Sequence, residues 1–385
     1  MEINFNRRID TSTYVAIEQV SLEKLCKRFR IFLVEVDQLK ITFASYLTVS
    51  ARHGGPLTQL TFTKHYLEEL GVEVRLMDHW FNRQEFFDCD LFHIFGASFA
   101  TYDLARYLHD HNIPFVVSPI FFTQRSSRTI KITIQFNRMF NSIARGFWSD
   151  YSIVADICRW AVRVLPNTSE EAALIMKSMN ISKQQISLIP NGVEERFSGG
   201  DPNLFYKQYG IKDYILNVGH IGLDRKNTLS LIRALEGIDH PAVIIGNYYP
   251  STEGKQCLEE AERNKNITII QGIDHGSELL ASAYAGCKVF VLPSKYETPG
   301  IAALEAALAG ASIVTTPHGG GRDYFGDMTE YINPYSVNSI QKGILNSLEK
   351  PKSTELKVYV SNNFLWKNVA DLTHKTYQNL LKLSN

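Results

Sequence analysis

Two glutamates eight positions apart, Glu297 and Glu305, carry the clearest chemical signal in this sequence. The segment around them predicts a buried strand at 289–292, a turn, and an Ala/Leu/Glu-rich helix at 302–309 that Gly310 ends. The first N–H groups of a helix lack partners within it, so they favour an anion such as phosphate. Carboxylates would repel a diphosphate, so hydroxyls of a ribose or hexose are their expected partners. The segment predicts a nucleotide-sugar site, although two solvated carboxylates at a helix end would show the same spacing.

The residues around these glutamates resemble the motif of the retaining family 4 glycosyltransferases, which have the GT-B fold. The motif is Pro-Ser-x-x-Glu-x-x-Gly-x-x-x-Leu-Glu-Ala, and the matching positions are Pro293, Ser294, Glu297, Gly300, Leu304, Glu305, Ala306 and Gly310. Two positions depart from it: Pro299 replaces a common aromatic residue and Ala302 replaces a common proline. The resemblance covers residues 40–380 and is most specific between 214 and 325.

The resemblance implies an α/β protein of the GT-B class, with two Rossmann-like domains that face each other across a cleft. We expect an acceptor-side domain at 1–195, which includes an extra N-terminal element at 1–39. A nucleotide-sugar domain is expected at 196–362, and a C-terminal helix at 363–385 that crosses back to the first domain.

Composition agrees with a large folded protein. The chain has 385 residues, of which 44% are hydrophobic and 21% charged, enough for two domains with buried cores. Forty basic residues balance forty acidic ones, which argues against nucleic-acid binding. Five scattered cysteines without Cys-x-x-Cys spacing are typical of reduced thiols in a cytosolic protein. No apolar run reaches the length of a membrane span, so we expect a protein that is cytoplasmic or peripheral to a membrane.

The first half begins with a predicted strand at 39–49, a glycine-rich turn, a helix and a second strand at 71–76. Gly54 and Gly55 in the turn would let a ligand approach the backbone closely. The full G-x-G-x-x-G pattern is absent, so a dinucleotide cofactor is not expected. By the resemblance, these two glycines face the donor phosphate and the acceptor.

Two signals flank the next strand, predicted at 91–95. Asp88 and Asp90 have the Asp-x-Asp form that holds a metal in other glycosyltransferases, but Asp90 fits better as a strand-entry residue, and we predict no metal site. By the resemblance, His93 lies at a strand end and faces the cleft as a catalytic residue. A core histidine bonded to the backbone is the alternative.

Two later segments bear on the acceptor. Many family members have a histidine where this chain has Ile120, so the catalytic groups on the acceptor side differ. Residues 125–145 carry five cations and no acid, interleaved with apolar side chains. Such a segment predicts contact with an anionic membrane or a lipid-linked acceptor, or else an ordinary loop and helix.

The diphosphate of a donor requires cations, and the predicted strand at 214–219 leads to several. The family has Gly-Arg followed by Lys here, with both cations on the diphosphate. In this chain Gly219 and Lys226 match, His220 replaces the arginine, and Arg225 is positioned to compensate. Arginine and lysine both suit a leaving diphosphate, although a solvated charge pair would look the same.

The resemblance assigns the remaining contacts. Glu297 orients the donor sugar as a catalytic residue, together with Lys226 and Arg225, and Glu305 holds the ribose. Three consecutive glycines from Gly319 imply close approach of a ligand or a helix. The other donor-binding positions are Gly272, Thr298, Pro299, Gly300, Ile301, Gly319 and Gly320.

These features predict a retaining, metal-independent glycosyltransferase of polysaccharide or glycoconjugate biosynthesis. It would use no cofactor and would move a sugar from a nucleoside-diphosphate sugar to a glycan or lipid-linked acceptor. The alternative is a nucleotide-sugar-binding protein of the same fold with little or no transfer activity, which the departures at Ile120 and His220 would permit.

Overall fold

Two parallel β-sheets with helices between their strands form the protein. The computed structural model describes residues 38–51, 54–78, 86, 88–143, 148–298, 300–351 and 354–382. Residues 40–385 form one compact unit. Except for residues 38 and 39, the predicted N-terminal element at 1–39 lies outside the described residues.

The first sheet has the order β2-β1-β3-β4-β5, and every neighbouring pair is parallel. Its central strands are buried on both faces, as their apolar runs require. The strands are β1 Lys40–Ser45, β2 Glu73–Leu76, β3 Leu91–Phe95, β4 Phe115–Ser118 and β5 Arg163–Val164. The helices are α1 Gly55–Glu69, α2 Phe99–Asp110, α3 Ser127–Ile143, α4 Asp150–Trp160 and α5 Ser169–Met179.

The second sheet has the order β11-β10-β9-β6-β7-β8 and is also parallel throughout. Its strands are β6 Tyr214–Val218, β7 Ala242–Ile245, β8 Ile267–Ile270, β9 Cys287–Leu292, β10 Ser312–Thr315 and β11 Glu330–Tyr331. The helices are α6 Pro202–Tyr209, α7 Thr228–Leu235, α8 Thr252–Glu262, α9 Glu278–Gly286, α10 Ile301–Leu308, α11 Gly321–Phe325, α12 Val337–Glu349, α13 Thr354–Asn363 and α14 Trp366–Lys382. Short 3₁₀ turns lie at Lys183–Gln185 and Glu195–Gly199.

Helix ends follow the local signals in the sequence. The Thr168 side chain caps α5 by accepting a hydrogen bond from the Glu171 N–H, the usual role of threonine at a helix start. Helix α10 ends at Leu308, and Gly310 follows with φ of 89°, a left-handed conformation that favours glycine.

Helix α14 returns from the second sheet to the first half of the chain. It packs against α1, where the Trp366 ring stacks on Phe62 with ring centroids 5.6 Å apart. At its far end the Tyr377 hydroxyl lies 2.6 Å from His93 Nδ1. Helix α14 therefore packs the end of the described chain against the half that contains the first sheet.

His93 lies in this contact, and its predicted position in the cleft is wrong. The residue is 1% exposed, and its Nε2 lies 2.9 Å from Ser118 Oγ while Tyr377 occupies the other ring nitrogen. Burial lowers the pKa of His93 to about 3. The parallel register places His93 next to Val116, inside the sheet, so the ring is a neutral core histidine and not a catalytic group.

Acid should therefore destabilise the protein through His93. An unfolded histidine binds a proton near pH 6.5, whereas the folded one does so only near about 3, so the unfolded state binds more protons between these values. The free energy of unfolding should fall by about 2 to 3 kcal/mol from pH 7 to pH 4.5 through this residue alone. Urea titrations should show this fall in the free energy of unfolding in the wild type and in the control variant, but not in His93→Gln. The exposed His65→Gln is the control, and equal slopes in all three proteins would contradict the assignment.

Asp88 and Asp90, where we predict no metal site and expect Asp90 at the entry of a strand, both contact the start of β1. Asp88 forms ion pairs with Lys40 and Arg75 at 2.9 and 3.0 Å. Asp90 accepts a hydrogen bond from the Lys40 N–H at 2.8 Å. Both carboxylates thus fix the start of the first sheet.

Helix α3 contains most of the basic and aromatic segment at 125–145. Ile130 and Ile134 are buried, whereas Ile132 and Phe136 are 58% and 55% exposed. Contact of this helix with a membrane stays a prediction, which co-sedimentation with anionic vesicles would test. Among the described residues, no helix combines the length and the apolar character needed to cross a bilayer.

Candidate functional site

A cavity of about 610 Å³ lies between the carboxyl ends of the two sheets. Ligands of open α/β sheets bind at this edge, because the loops that follow the strands converge there. The first half contributes the start of α1 and the loop after β4, and the second half contributes the loops after β6 and β9. The predicted site residues that line it are Gly54, Gly55, Gly219, His220, Arg225, Lys226, Glu297, Thr298, Gly300, Ile301 and Glu305.

Glu297 and two cations form the first charged group in this cavity. Lys226 Nζ donates to Glu297 Oε1 at 2.6 Å, and Arg225 Nη1 lies 3.1 Å from the same oxygen. Burial alone would raise the pKa of Glu297, which is 7% exposed, but the two cations more than offset it and the pKa lies below its ordinary value. Glu297 is therefore ionised, and both predicted diphosphate ligands are held beside it.

Glu305 forms the second group with two residues that the sequence did not single out. Its Oε2 accepts a hydrogen bond from the Tyr284 hydroxyl at 2.6 Å, and its Oε1 lies 2.7 Å from His275 Nε2. The hydrogen bond to Glu305 raises the pKa of His275, and burial raises that of Tyr284 well above its usual range. Glu305 is 3% exposed and lines the cavity, and each of its two carboxylate oxygens has one of these partners.

The start of α10 lies between the two carboxylates. Gly300 precedes it with φ of 74°, and a Cβ there would lie 3.1 Å from Leu292 Cδ2, so glycine suits the turn. Ile301 and Ala302 line the cavity, which places the first N–H groups of the helix at its wall. Thr298 also lines it, while Pro299 lies outside the described residues.

His220 occupies the position where the family has arginine. Burial lowers its pKa, and the nearby Lys226 and Arg225 lower it further. The ring is therefore neutral at pH 7 and offers hydrogen bonds rather than charge. The carbonyl of the neighbouring Gly219 packs against Gly246. A Cβ at Gly246 would lie only 1.7 Å from the Gly219 oxygen.

Three predicted donor contacts do not line this cavity. A Cβ at Gly272 would lie 2.8 Å from the Asn247 side chain. A Cβ at Gly319 would lie 2.4 Å from the Glu297 carbonyl oxygen, and one at Gly320 would lie 2.3 Å from Thr168. Gly319 thus allows the loop at Glu297 to approach closely, and Gly320 allows the cap of α5 at Thr168 to do so. Both glycines hold these segments together outside the cavity.

The same segment joins the two halves of the chain. Gly319 N–H donates to Glu170 Oε2 at 2.8 Å, and Ser169 Oγ donates to Asp323 Oδ1 at 2.7 Å. Asp323 therefore binds the start of α5.

The part of the cavity wall that follows β4 contains a strained residue. Ile120 lines the cavity with φ of 52°, a region that β-branched residues rarely adopt. The next residue is fixed by a buried carboxylate, because Glu171 Oε1 accepts the Phe121 N–H at 2.7 Å and Oε2 accepts the Asn167 N–H at 2.8 Å. The loop after β4 is thus held rigidly at the mouth of the site.

Sequence reasoning also missed Asn191, Phe122 and Tyr296 in the cavity wall. Asn191 is 2% exposed, and its Oδ1 has no hydrogen-bond partner among the described residues. The Phe122 and Tyr296 rings stack with centroids 4.2 Å apart. No local pattern pairs Phe122 with Tyr296, since they come from different halves of the chain.

Comparison with known proteins agrees with this architecture. A family model described as glycosyl transferases group 1 matches residues 206–363. Sucrose-phosphate synthase from Thermosynechococcus elongatus is similar in structure, with a TM-score of 0.70 and 16% identity over 90% of this chain and all of that one. The structure of Anabaena HepE in complex with UDP and glucose has a TM-score of 0.64 and 16% identity over 89% of this chain and all of that one. The predicted GT-B fold is confirmed.

Curated relatives match smaller parts of the chain. An MMP alpha-(1->4)-mannosyltransferase from Mycolicibacterium hassiacum is 23% identical over 239 residues, which cover 58% of this chain and 55% of the relative. A D-inositol 3-phosphate glycosyltransferase from Geodermatophilus obscurus is 27% identical over 184 residues, which cover 42% of this chain and 39% of the relative. The chain thus spans about half or less of the curated relatives that it matches.

Proposed function

We propose that this protein is a glycosyltransferase that moves a sugar from a nucleoside-diphosphate sugar to a glycan or lipid-linked acceptor, with retention of anomeric configuration. One observation carries the proposal. Two buried carboxylates, two cations and a helix start from separate elements converge on a single cavity between the sheets. The match to the glycosyl transferases group 1 model, which covers the second sheet, supports it.

The cavity suggests one placement of the donor. The diphosphate would lie at Lys226, Arg225 and the first N–H groups of α10, where cations and the helix dipole favour it. The ribose would donate hydrogen bonds to Glu305, and the transferred sugar would do so to Glu297. The donor therefore shares the two cations with Glu297, which keeps them positioned before it binds.

The same groups account for the reaction. As the bond from the anomeric carbon to the diphosphate oxygen breaks, negative charge develops on the diphosphate and positive charge on the sugar. Lys226, Arg225 and the start of α10 stabilise the negative charge on the diphosphate, and the leaving phosphate stabilises the positive charge on the sugar. The acceptor hydroxyl attacks from the face that the phosphate leaves, and its proton passes to a phosphate oxygen, so configuration is retained. This chemistry calls for neither a cofactor nor a divalent metal.

A nucleotide-sugar-binding protein with little transfer activity is the second candidate. Two observations favour it: strained Ile120 stands where family members have histidine, and His220 is uncharged where they have arginine. These two residues lie where the acceptor and the leaving diphosphate would bind. A nucleotide sugar could therefore still bind even if sugar transfer were weak.

Turnover separates the two candidates. Incubation with UDP-, GDP-, ADP-, CDP- and dTDP-linked hexoses and an oligosaccharide acceptor should release one nucleoside diphosphate and give a product with the anomeric configuration of its donor. Glu297→Gln should abolish release, because it removes the charge that holds the two cations, whereas the exposed Glu349→Gln should not. Nucleotide binding without release in the wild type would favour the binding protein, and an inverted product would refute retention.

A further inference from the structure

A second cavity of about 520 Å³ adjoins the first. Its walls come from the loop at 122–127, from α5, and from residues of the second half of the chain. Phe122 and Tyr296 line both cavities, and their stacked rings form the partition between them. Tyr296 directly precedes Glu297, so the second cavity adjoins the sugar end of the proposed donor and not the ribose end at Glu305.

This cavity is positively charged. Arg125, Lys177 and Lys295 line it together with one carboxylate, Glu170. Lys295 pairs with Asp224. Neither Arg125 nor Lys177 has a carboxylate within 4.0 Å in the described part of the chain, and the Glu170 carboxylate accepts the Gly319 N–H at 2.8 Å. Arg125 and Lys177 are thus left without an ion-pair partner, and even with the negative charge of Glu170 the wall keeps a net positive charge that favours an anion such as a phosphate monoester.

Geometry and residue type both suit a phosphorylated sugar. Arginine and lysine supply a fork and a point charge for phosphate oxygens. The aromatic pair Phe122 and Tyr296 offers ring faces on which a sugar can pack. A second nucleotide fits less well, because Glu170, the one carboxylate that the described residues place in this wall, is engaged by a backbone N–H rather than left for a ribose.

We propose that this second cavity binds the phosphate group of a phosphorylated sugar acceptor, with Arg125 and Lys177 as its ligands. The proposal rests on the proposed function, since it takes the first cavity as the donor site. The acceptor hydroxyl would enter past the Phe122 and Tyr296 rings, which must separate for it to reach the donor sugar. The bound phosphate would hold the acceptor while this happens.

Calorimetric titration with glucose 6-phosphate as a probe tests the proposal, with glucose as the uncharged comparison. Wild type should bind glucose 6-phosphate at least about tenfold more tightly than glucose. The double variant Arg125→Ala/Lys177→Ala should lose that advantage. Lys131→Ala, an exposed cation on α3 outside the cavity, should retain it. Thermal unfolding of each variant without ligand checks that it is folded.

A donor-site variant separates this proposal from the proposed function. Lys226→Ala should weaken binding of the preferred nucleoside diphosphate but still bind glucose 6-phosphate. The second site is refuted, while the donor site stands, by any of three results. These are failure of glucose 6-phosphate to bind the wild type, binding to the double variant as tight as to the wild type, and loss of its binding in Lys226→Ala. A wild-type protein that binds no nucleoside diphosphate would overturn the proposed function as well.

Discussion

Replacement of Lys226 by alanine should lower the turnover number about 10²- to 10³-fold, the usual effect of removing one group that stabilises charge in a transition state. Lys226 Nζ lies 2.6 Å from Glu297 and lines the wall of the donor cavity, so it is already placed where the diphosphate would leave. Arg225 should not replace it fully, because its guanidinium lies farther from Glu297, at 3.1 Å, and its side chain is about twice as exposed as that of the lysine, 39% against 18%.

The variant should also be less stable. Glu297 is buried and would lose its nearer cation, but Arg225 remains, so the loss should be about 1 to 2 kcal/mol rather than the 3 to 5 kcal/mol of a fully broken buried pair. Initial rates and urea titrations should be compared with those of Lys183→Ala, which removes an exposed lysine. A turnover number within threefold of the wild type would exclude Lys226 from the chemistry.

Replacement of Glu305 by glutamine should weaken nucleoside diphosphate binding about 10- to 100-fold. Hydrogen bonds to a charged acceptor contribute about 1.5 to 3 kcal/mol each, and the neutral amide has a single acceptor oxygen. That oxygen would have to serve the Tyr284 hydroxyl, which now lies 2.6 Å from Glu305 Oε2, as well as a ribose. Binding should weaken without a comparable fall in the turnover number at saturating donor, because the ribose is remote from the reacting carbon.

Tyr284→Phe provides the matched control for this effect. It removes the hydroxyl that orients Glu305 but leaves the charge, so its effect on affinity should be smaller than that of Glu305→Gln. Calorimetric titration of both variants with the preferred nucleoside diphosphate would show which variant loses more affinity. Equal affinities of wild type and Glu305→Gln would show that Glu305 serves the fold and not the ribose.

Local sequence patterns were sufficient for the architecture. The strand predicted at 91–95 appears with the same bounds, and the helix predicted at 302–309 appears one residue earlier, as α10 Ile301–Leu308. The paired glutamates, the glycine turn and the downstream lysine all reach one cavity, because loops that follow parallel strands meet at one edge of a sheet.

Contacts between distant segments could not be predicted in this way. His93 has a neutral core role because Tyr377, 284 positions away, occupies its Nδ1. Likewise, His275 meets Glu305 only through the packing of a loop against α10, and Gly319 meets the Glu297 backbone through the return of the chain after β10. Periodicity and motif spacing describe neighbours along the chain, whereas these roles are set by neighbours in space.

Thermal unfolding with a panel of UDP, GDP, ADP, CDP and dTDP, without added metal, tests the central claim most directly. We predict that one base stands out, and that a nucleotide at a hundred times its Kd stabilises the protein by about 2.7 kcal/mol. The stabilisation should be lost in Lys226→Ala and reduced in Glu305→Gln. A folded wild-type protein that none of the five nucleotides stabilises would contradict the assignment of this cavity to a nucleotide-sugar donor.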